Sequence, residues 1–237
     1  MIIRIFTINL ARLVCVVTLT AIAYAAAPTS AQTAPSAPPL ELRVLRGYLP
    51  YQQGKLAEAA RLFRADAKLG IRAAQYNLAV MILRGEAKAN PSSQELQDAV
   101  QWMRRSAQSK FPDAQFALGK LYENGELLPR DLSAAIDWYK RAAEQDHLDA
   151  QLELAAGYML GRGTAKNLSQ AAAWAEKAAN KGDAGAQYLL ASFYEAGDGV
   201  TRDLQKAFDW YALAARNGDP SASFKAKEIA ACMREAS

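Results

Sequence analysis

The sequence predicts an all-α protein, an α-α superhelix (a solenoid of antiparallel helix pairs) with about four full repeats plus terminal helices. Three observations carry this expectation. Of 237 residues 50 are alanine and only 9 are proline, an excess of small helix formers. Apolar and small residues recur with the 3.6-residue spacing of one helix face. Above all, the four tryptophans, Trp102, Trp138, Trp174 and Trp210, are each 36 residues apart. A fixed period of about 20–50 residues is the signature of a solenoid or array. A β-sandwich or barrel is excluded, because that class needs frequent β-branched runs.

The amino-terminal segment reads as a targeting signal. Arg4 and Arg12 precede the apolar run Leu13–Ala23, and Ala23-Tyr24-Ala25 follows as a small-x-small site. That order describes a secretory signal peptide over residues 1–25. The uncharged stretch from Leu13 to Ala27 is short of the roughly 20 residues of a membrane-spanning helix. Cys15 does not mark a lipoprotein, since Val14 precedes it where a small residue is needed. Cleavage removes two cations and no acid, so the net charge of +4 falls to +2. The basic balance is then no argument for nucleic acid. The expected location is the periplasm or the extracellular space, with no membrane span after cleavage. Residues 26–40 follow as a flexible Pro/Ala-rich linker, too poor in large apolar residues to order itself.

The solenoid is expected over 41–237, with repeats at about 74–113, 114–149, 150–185 and 186–221 and modified ends at 41–73 and 222–237. Each repeat reads as two helices. The first, A, starts at an Ala-Gln pair: Ala74-Gln75, Ala114-Gln115, Ala150-Gln151, Ala186-Gln187. It stops at Gly85, Gly125, Gly161 or Gly197, eleven residues on, where a left-handed cap favours glycine. A short turn ends in Asp131, Asn167 or Asp203, side chains suited to cap the next helix. That second helix, B, carries the Trp and, four residues later, a pair of small residues such as Ala142-Ala143. Gly182 and Gly218 end two B helices, and Lys110 and Asp146 stand in their place in the others. The first repeat is four residues longer, with the excess expected in its turn at AKANPSSQELQ. At the amino end, Pro50 is expected to end or kink a helix beginning at Leu40, and Gly54–Gly70 reads as a B helix without its Trp. At the carboxyl end, Ala222–Glu235 reads as a final A helix.

The pattern A-Q-x-x-L-G-x-x-Y-x-x-G, then D-x-x-x-A-x-x-W-Y-x-x-A-A, resembles the Sel-one-like repeat, the 36-residue branch of the tetratricopeptide superfamily. Residues 114–149 and 186–221 match it best. The resemblance implies a non-enzymatic adaptor that binds another protein in a groove lined by A helices. In bacteria such proteins include secreted virulence factors and periplasmic regulators of sensor kinases, such as exopolysaccharide regulators. One secreted cysteine-rich group acts on penicillins and carries a disulfide in each repeat. A cell-wall or β-lactam-acting enzyme of that type is the alternative reading, disfavoured because a chain without its signal retains only Cys232.

The residues offer no site chemistry of their own. The sole histidine, His147, sits in the turn EQDHLDA with no nucleophile placed for it, and reads as a solvated turn residue. Gly161-Arg162-Gly163 and Gly197-Asp198-Gly199 fall in phase with the repeat, so they read as helix caps, not phosphate loops. Asp198 and Asp203 lack the alternating oxygen ligands of a calcium loop. No catalytic, cofactor-binding or metal-ligating residue is assigned, no cofactor is expected, and nucleic acid is not a partner. The tryptophans, in phase with alanines, are expected as the structural repeat core. Under the resemblance, the candidate groove comprises A-helix positions at offsets 2, 3 and 6 from the repeat alanine: Tyr76, Asn77, Phe116, Lys120, Glu153, Tyr188 and Ser192. They differ between repeats, as a surface free to specialise would.

Overall fold

The computed structural model describes residues 40–235. The expected signal peptide and nearly all of the linker lie outside the described residues. Eleven helices and no strand occur among them, in the order α1 (Leu40–Gln52), α2 (Leu56–Lys68), α3 (Arg72–Leu83), α4 (Ser93–Gln108), α5 (Pro112–Asn124), α6 (Leu132–Ala143), α7 (Leu148–Leu160), α8 (Leu168–Ala179), α9 (Ala184–Ala196), α10 (Leu204–Arg216) and α11 (Ala222–Glu235). Odd-numbered helices are A helices and even-numbered ones B helices. The fold is the helix-pair repeat that the period predicts. The chain forms two compact units divided after Ala117, within α5.

In the first unit, α1 packs on α2, α2 on α3 and α3 on α4. In the second, each helix from α6 to α11 packs on the next. The interiors are alanine-rich, with Ala59, Ala74, Ala99, Ala150, Ala186 and Ala207 fully buried. Small side chains let helix backbones approach, and close packing is what each repeat contributes to its neighbour.

The Ala-Gln pairs explain themselves here. Each Gln is buried and donates its amide N–H to a carbonyl near the end of the preceding B helix: Gln75 to Ala67 (3.2 Å), Gln115 to Ala107 (3.1 Å), Gln151 to Ala143 (3.2 Å) and Gln187 to Ala179 (3.1 Å). Those carbonyls belong to the last turn of a helix and already accept from the backbone N–H three residues on, as Ala143 does from Asp146 at 3.0 Å and Ala179 from Gly182 at 2.9 Å. The Gln adds a second hydrogen bond to the same oxygen, which satisfies its own buried amide and pins one repeat to the next.

Capping sets the starts. Asp131, Asn167 and Asp203 accept from the N–H groups of Ala134, Gln170 and Lys206 at 2.9, 3.0 and 2.9 Å, as their spacing predicts. His147 is also a cap: its Nδ1 accepts from the Ala150 N–H at 3.3 Å. It is thus a half-buried structural residue, not a solvated turn one. The A helices begin two residues before the Ala-Gln pairs, because the caps stand upstream.

Two expectations about the first unit need correction. α1 runs through Pro50 to Gln52. The proline removes one N–H···O bond to the preceding turn, and the helix ends two residues later at Gln52, so the loss is confined to its carboxyl end. The longer first repeat does not place all its excess in the turn, since α4 has 16 residues against 12 in α6. Ser92 and Glu95 form a reciprocal capping box, which stabilises an earlier start.

The second glycine of each Gly-x-Gly turn serves close approach. A Cβ on Gly163 would lie 2.2 Å from the Leu132 carbonyl oxygen, and one on Gly199 would lie 2.2 Å from the Leu168 carbonyl carbon. The turn of one repeat thus rests on the backbone at the start of the previous B helix.

The tryptophans are less central than expected. Trp174 is 7% exposed, but Trp102, Trp138 and Trp210 are only half-buried. The next B-helix position is deeper, where Met103, Tyr139, Ala175 and Tyr211 are at most 1% exposed. Three indole faces carry a cation three residues on: Arg105 at 4.8 Å from the Trp102 ring, Arg141 at 4.5 Å from Trp138 and Lys177 at 4.0 Å from Trp174. Trp102 and Trp138 are seam residues, half-buried with a cation over the ring, whereas Trp174 is buried.

Candidate interaction surface

The A-helix face of the second unit is built by α7, α9, α11 and the part of α5 from Leu118. Helix periodicity brings offsets 2, 3, 6 and 9 to one side. Lys120 and Glu153 lie there and are joined: the Lys120 ammonium is 3.1 Å from the Glu153 carboxylate on the next A helix. Lys120 also pairs with Glu123, one turn away. The Arg162 guanidinium completes the set, reaching Glu123 at 2.8 Å and Glu153 at 2.9 Å. Two cations and two carboxylates close a neutral network. Tyr139 supports it from beneath, its hydroxyl donating to Glu123 at 2.8 Å.

The electrostatics follow from this geometry. Burial alone would raise the Glu123 pKa, but hydrogen bonds from Lys120 and Tyr139 and the charges of Lys120 and Arg162 hold it below the usual carboxylate range. Burial alone would lower the Lys120 pKa, and its two carboxylate partners raise it instead. The Tyr139 hydroxyl is pushed up by burial and by the Glu123 charge, so it remains a donor.

A second network lies toward α11. Lys225 is 3.1 Å from Glu195 and 3.3 Å from Glu228, and Tyr211 donates to Glu195 at 2.6 Å. Between the two networks, α7 and α9 present Leu152, Ala156, Tyr188, Leu189 and Ser192, all half-buried. The ring of Tyr188 meets Tyr211 edge-on at 5.0 Å, and Ser192 returns its hydroxyl to the Leu189 carbonyl at 2.7 Å. This strip has no charge, and an ion-pair network flanks each side.

The remaining candidates belong to the first unit. Tyr76 is not a surface residue: it is 5% exposed, with its ring 5.4 Å from that of Phe111. Its large apolar ring found a core position at an offset that elsewhere stays half-open. Asn77 is half-buried with its amide nitrogen enclosed and without a hydrogen-bond partner. Phe116 is half-buried.

Glu123, Arg162, Glu195 and Lys225 were not among the sequence candidates. Glu123 and Glu195 share offset 9, and each occurs in a repeat whose Trp is followed by Tyr. That pairing across the repeats was a usable signal. Among the described residues, no group of three His, Cys, Asp or Glu side chains is placed to hold a metal ion, and no helix is long and apolar enough to cross a membrane.

Fold and face together define a repeat protein of the tetratricopeptide-like class, whose conserved geometry lies within the repeats and whose individuality lies on the A-helix surface. The Sel1 repeat matches four times in succession, at residues 72–111, 112–147, 148–183 and 184–219. The chain belongs to the Sel1 repeat family. Among solved structures it is similar to a protective antigen of uropathogenic Escherichia coli displaying an SLR fold. The two are 30% identical with a TM-score of 0.72, over 80% of this chain and 41% of that one. The present chain thus spans about two fifths of that protein's length. It is also similar to a Sel1 repeat protein from Oxalobacter formigenes, 28% identical with a TM-score of 0.67, over 84% of this chain and 89% of that one. No curated protein matches. Sel1 repeat proteins are generally protein–protein interaction scaffolds.

Proposed function

We propose that the protein is an exported scaffold that docks a peptide or helix of another envelope protein on the A-helix face of its second unit. The observation that carries this is the uncharged strip of Leu152, Ala156, Leu189 and Ser192 between two ion-pair networks. Its residues are half-buried rather than sealed, and they do not repeat, whereas the Gln clamps and alanine seams do. Apolar positions ringed by polar groups suit an amphipathic partner. The order of charge, apolar core and small residues at 1–25 supports export, with the periplasm as destination. There the scaffold would regulate an envelope sensor kinase or assemble an envelope complex, and it would need no catalytic group of its own.

The test is capture from envelope extract with the purified chain and with Leu189→Arg and Ser192→Arg variants, each checked by circular dichroism. Folded variants are expected to lose the captured protein. Retention by both would remove docking from this face. Export is checked separately by amino-terminal sequencing of the secreted chain, where a start near Ala26 is expected and an intact Met1 would refute it.

A further inference from the structure

The two units differ in charge. Residues 40–117 hold twelve Lys and Arg against seven Asp and Glu, a net +5, whereas residues 118–235 hold fourteen against seventeen, a net −3. The basic excess of the first unit gathers on α2 and the turn that follows it. Arg61, Arg64 and Lys68 recur three and four residues apart, which is one face of a helix, and all three are exposed. From Ala59 to Gly85 the only acid is Asp66, which is 3% exposed. Beyond the turn, Arg72 is exposed and donates to the carbonyls of Ser109 and Lys110 at 3.2 and 3.3 Å, so Lys110 joins the same edge. Leu69 stands in the turn among these cations and is 58% exposed. Lys110 is kept there against its backbone preference: its φ is 58°, and two later repeats have glycine at this place. Asp146, the other side chain so held, is compensated by its ion pair with Lys181, whereas the Lys110 ammonium has no carboxylate partner among the described residues. A strained residue kept without a partner points to a role outside the fold.

We propose that this edge of the first unit binds the surface of an anionic phospholipid bilayer. Every Lys or Arg held within a Debye length of the headgroup layer adds to the attraction, and the exposed charges of this stretch are all of one sign. Leu69 selects a bilayer over other polyanions. Its side chain enters the interface below the headgroups, while Lys68 and Arg72 extend their charged ends to the phosphates. A nucleic acid offers no apolar layer for a leucine, and Phe111, next to Lys110, packs on Tyr76 rather than standing free to stack on a base. The matching turns of the second unit mix signs, with Glu144, Asp146 and Asp149 close after Lys140 and Arg141, and Asp183 close after Lys181. The contact therefore belongs to the first unit. It is peripheral, since no helix among the described residues is long and apolar enough to cross a membrane.

The chain from Ala26, which keeps every described helix, is floated with vesicles of phosphatidylglycerol and phosphatidylcholine and with vesicles of phosphatidylcholine alone. Binding to the anionic vesicles is expected to exceed binding to the neutral ones by at least about tenfold and to fall as salt is added. Lys110→Gly removes one charge and puts glycine at a left-handed position, so a loss of binding cannot come from a weaker fold. It is expected to weaken anionic binding about fivefold, and the double variant with Lys68→Gln at least about tenfold. Leu69→Ser is expected to weaken vesicle binding while leaving any binding of soluble polyglutamate unchanged. Equal binding to both vesicles, or anionic binding indifferent to the double variant, overturns the proposal. Indifference to Leu69→Ser overturns it too, and polyglutamate bound as tightly as the vesicles would then make an acidic protein segment the occupant. None of these substitutions touches Leu189 or Ser192, so the A-face reading stands or falls independently.

Discussion

The hydroxyl of Tyr139 donates to the carboxylate of Glu123, 16 residues earlier, and Tyr211 stands in the same relation to Glu195. In the other two repeats those positions hold Leu83 with Met103 and Met159 with Ala175. The polar pair is therefore present or absent as a unit, because either half alone would bury an unsatisfied group. Tyr139→Phe and Tyr211→Phe are each expected to cost about 1.5–3 kcal/mol, the range for a hydrogen bond to a charged group. Tyr139→Phe should lie at the low end, since Glu123 keeps Lys120 and Arg162. Urea midpoints at unchanged slope measure both, and unshifted midpoints would mean that water replaces the hydroxyl freely.

The same carboxylates set an acid limit. Burial would raise Glu123 and Glu195, but donors and neighbouring cations outweigh it and hold both below the ordinary carboxylate range. A group with a depressed folded pKa adds stability that is complete above its unfolded value of about 4.3 and is lost as pH falls through the folded one. Melting temperature is therefore expected to be flat from pH 7 to about pH 5 and to drop below about pH 4.3. Glu123→Gln should lower the plateau and flatten the drop. An equally steep drop in that variant would place the acid-sensitive groups elsewhere.

The repeat, the helix pairs and the B-helix caps were legible because each depends on a few residues at fixed spacing. Trp at 36-residue intervals sets the period, and Asp131, Asn167 and Asp203 act on N–H groups three residues away. Residues whose role depends on a partner in another helix were harder to read. Gln75, Gln115, Gln151 and Gln187 marked the period without revealing that they bond the preceding helix. Lys120 and Glu153 were placed on the A face, but their link to each other and to Arg162 is a contact between repeats, which spacing within one repeat does not encode. Tyr76 shows the limit of offset reasoning: the position was read correctly as aromatic or large, yet its exposure depends on Phe111, which lies just before the next A helix.

Three residues after each small pair the chain takes a left-handed turn, whether or not glycine is present. Gly182 and Gly218 have φ of 87° and 99°, and Lys110 and Asp146 adopt 58° and 65°. A side chain in this region costs roughly 1–2 kcal/mol. Lys110→Gly is therefore expected to stabilise by about 1 kcal/mol. Asp146→Gly should gain less, because Asp146 pairs with Lys181 at 3.1 Å. The reverse change, Gly182→Ala, meets nothing within 4 Å, so it isolates the backbone cost. Thermal melts of the three variants give the comparison, and a destabilised Lys110→Gly would mean that the lysine side chain contributes a contact that outweighs its strain.

The tryptophans separate by burial, and truncation should separate them in the same order. Trp174 is 7% exposed, and replacing it with alanine is expected to cost about 3–5 kcal/mol, the range for emptying a large buried site. Trp138 is half-buried with Arg141 over its face at 4.5 Å. Its loss forfeits roughly half the apolar area and a cation–π contact of about 0.5–1 kcal/mol at an exposed site, so Trp138→Ala should cost about half as much. Trp138→Phe, which keeps an aromatic face for Arg141, should recover most of that. Because a repeat is held by its neighbours, Trp174→Ala should also loosen the repeats on either side, seen as faster amide exchange at Gln151 and Gln187. Equal midpoints for the two alanine variants would show that the Trp138 ring is worth as much as a fully packed one, and the seam position would have to be counted as core.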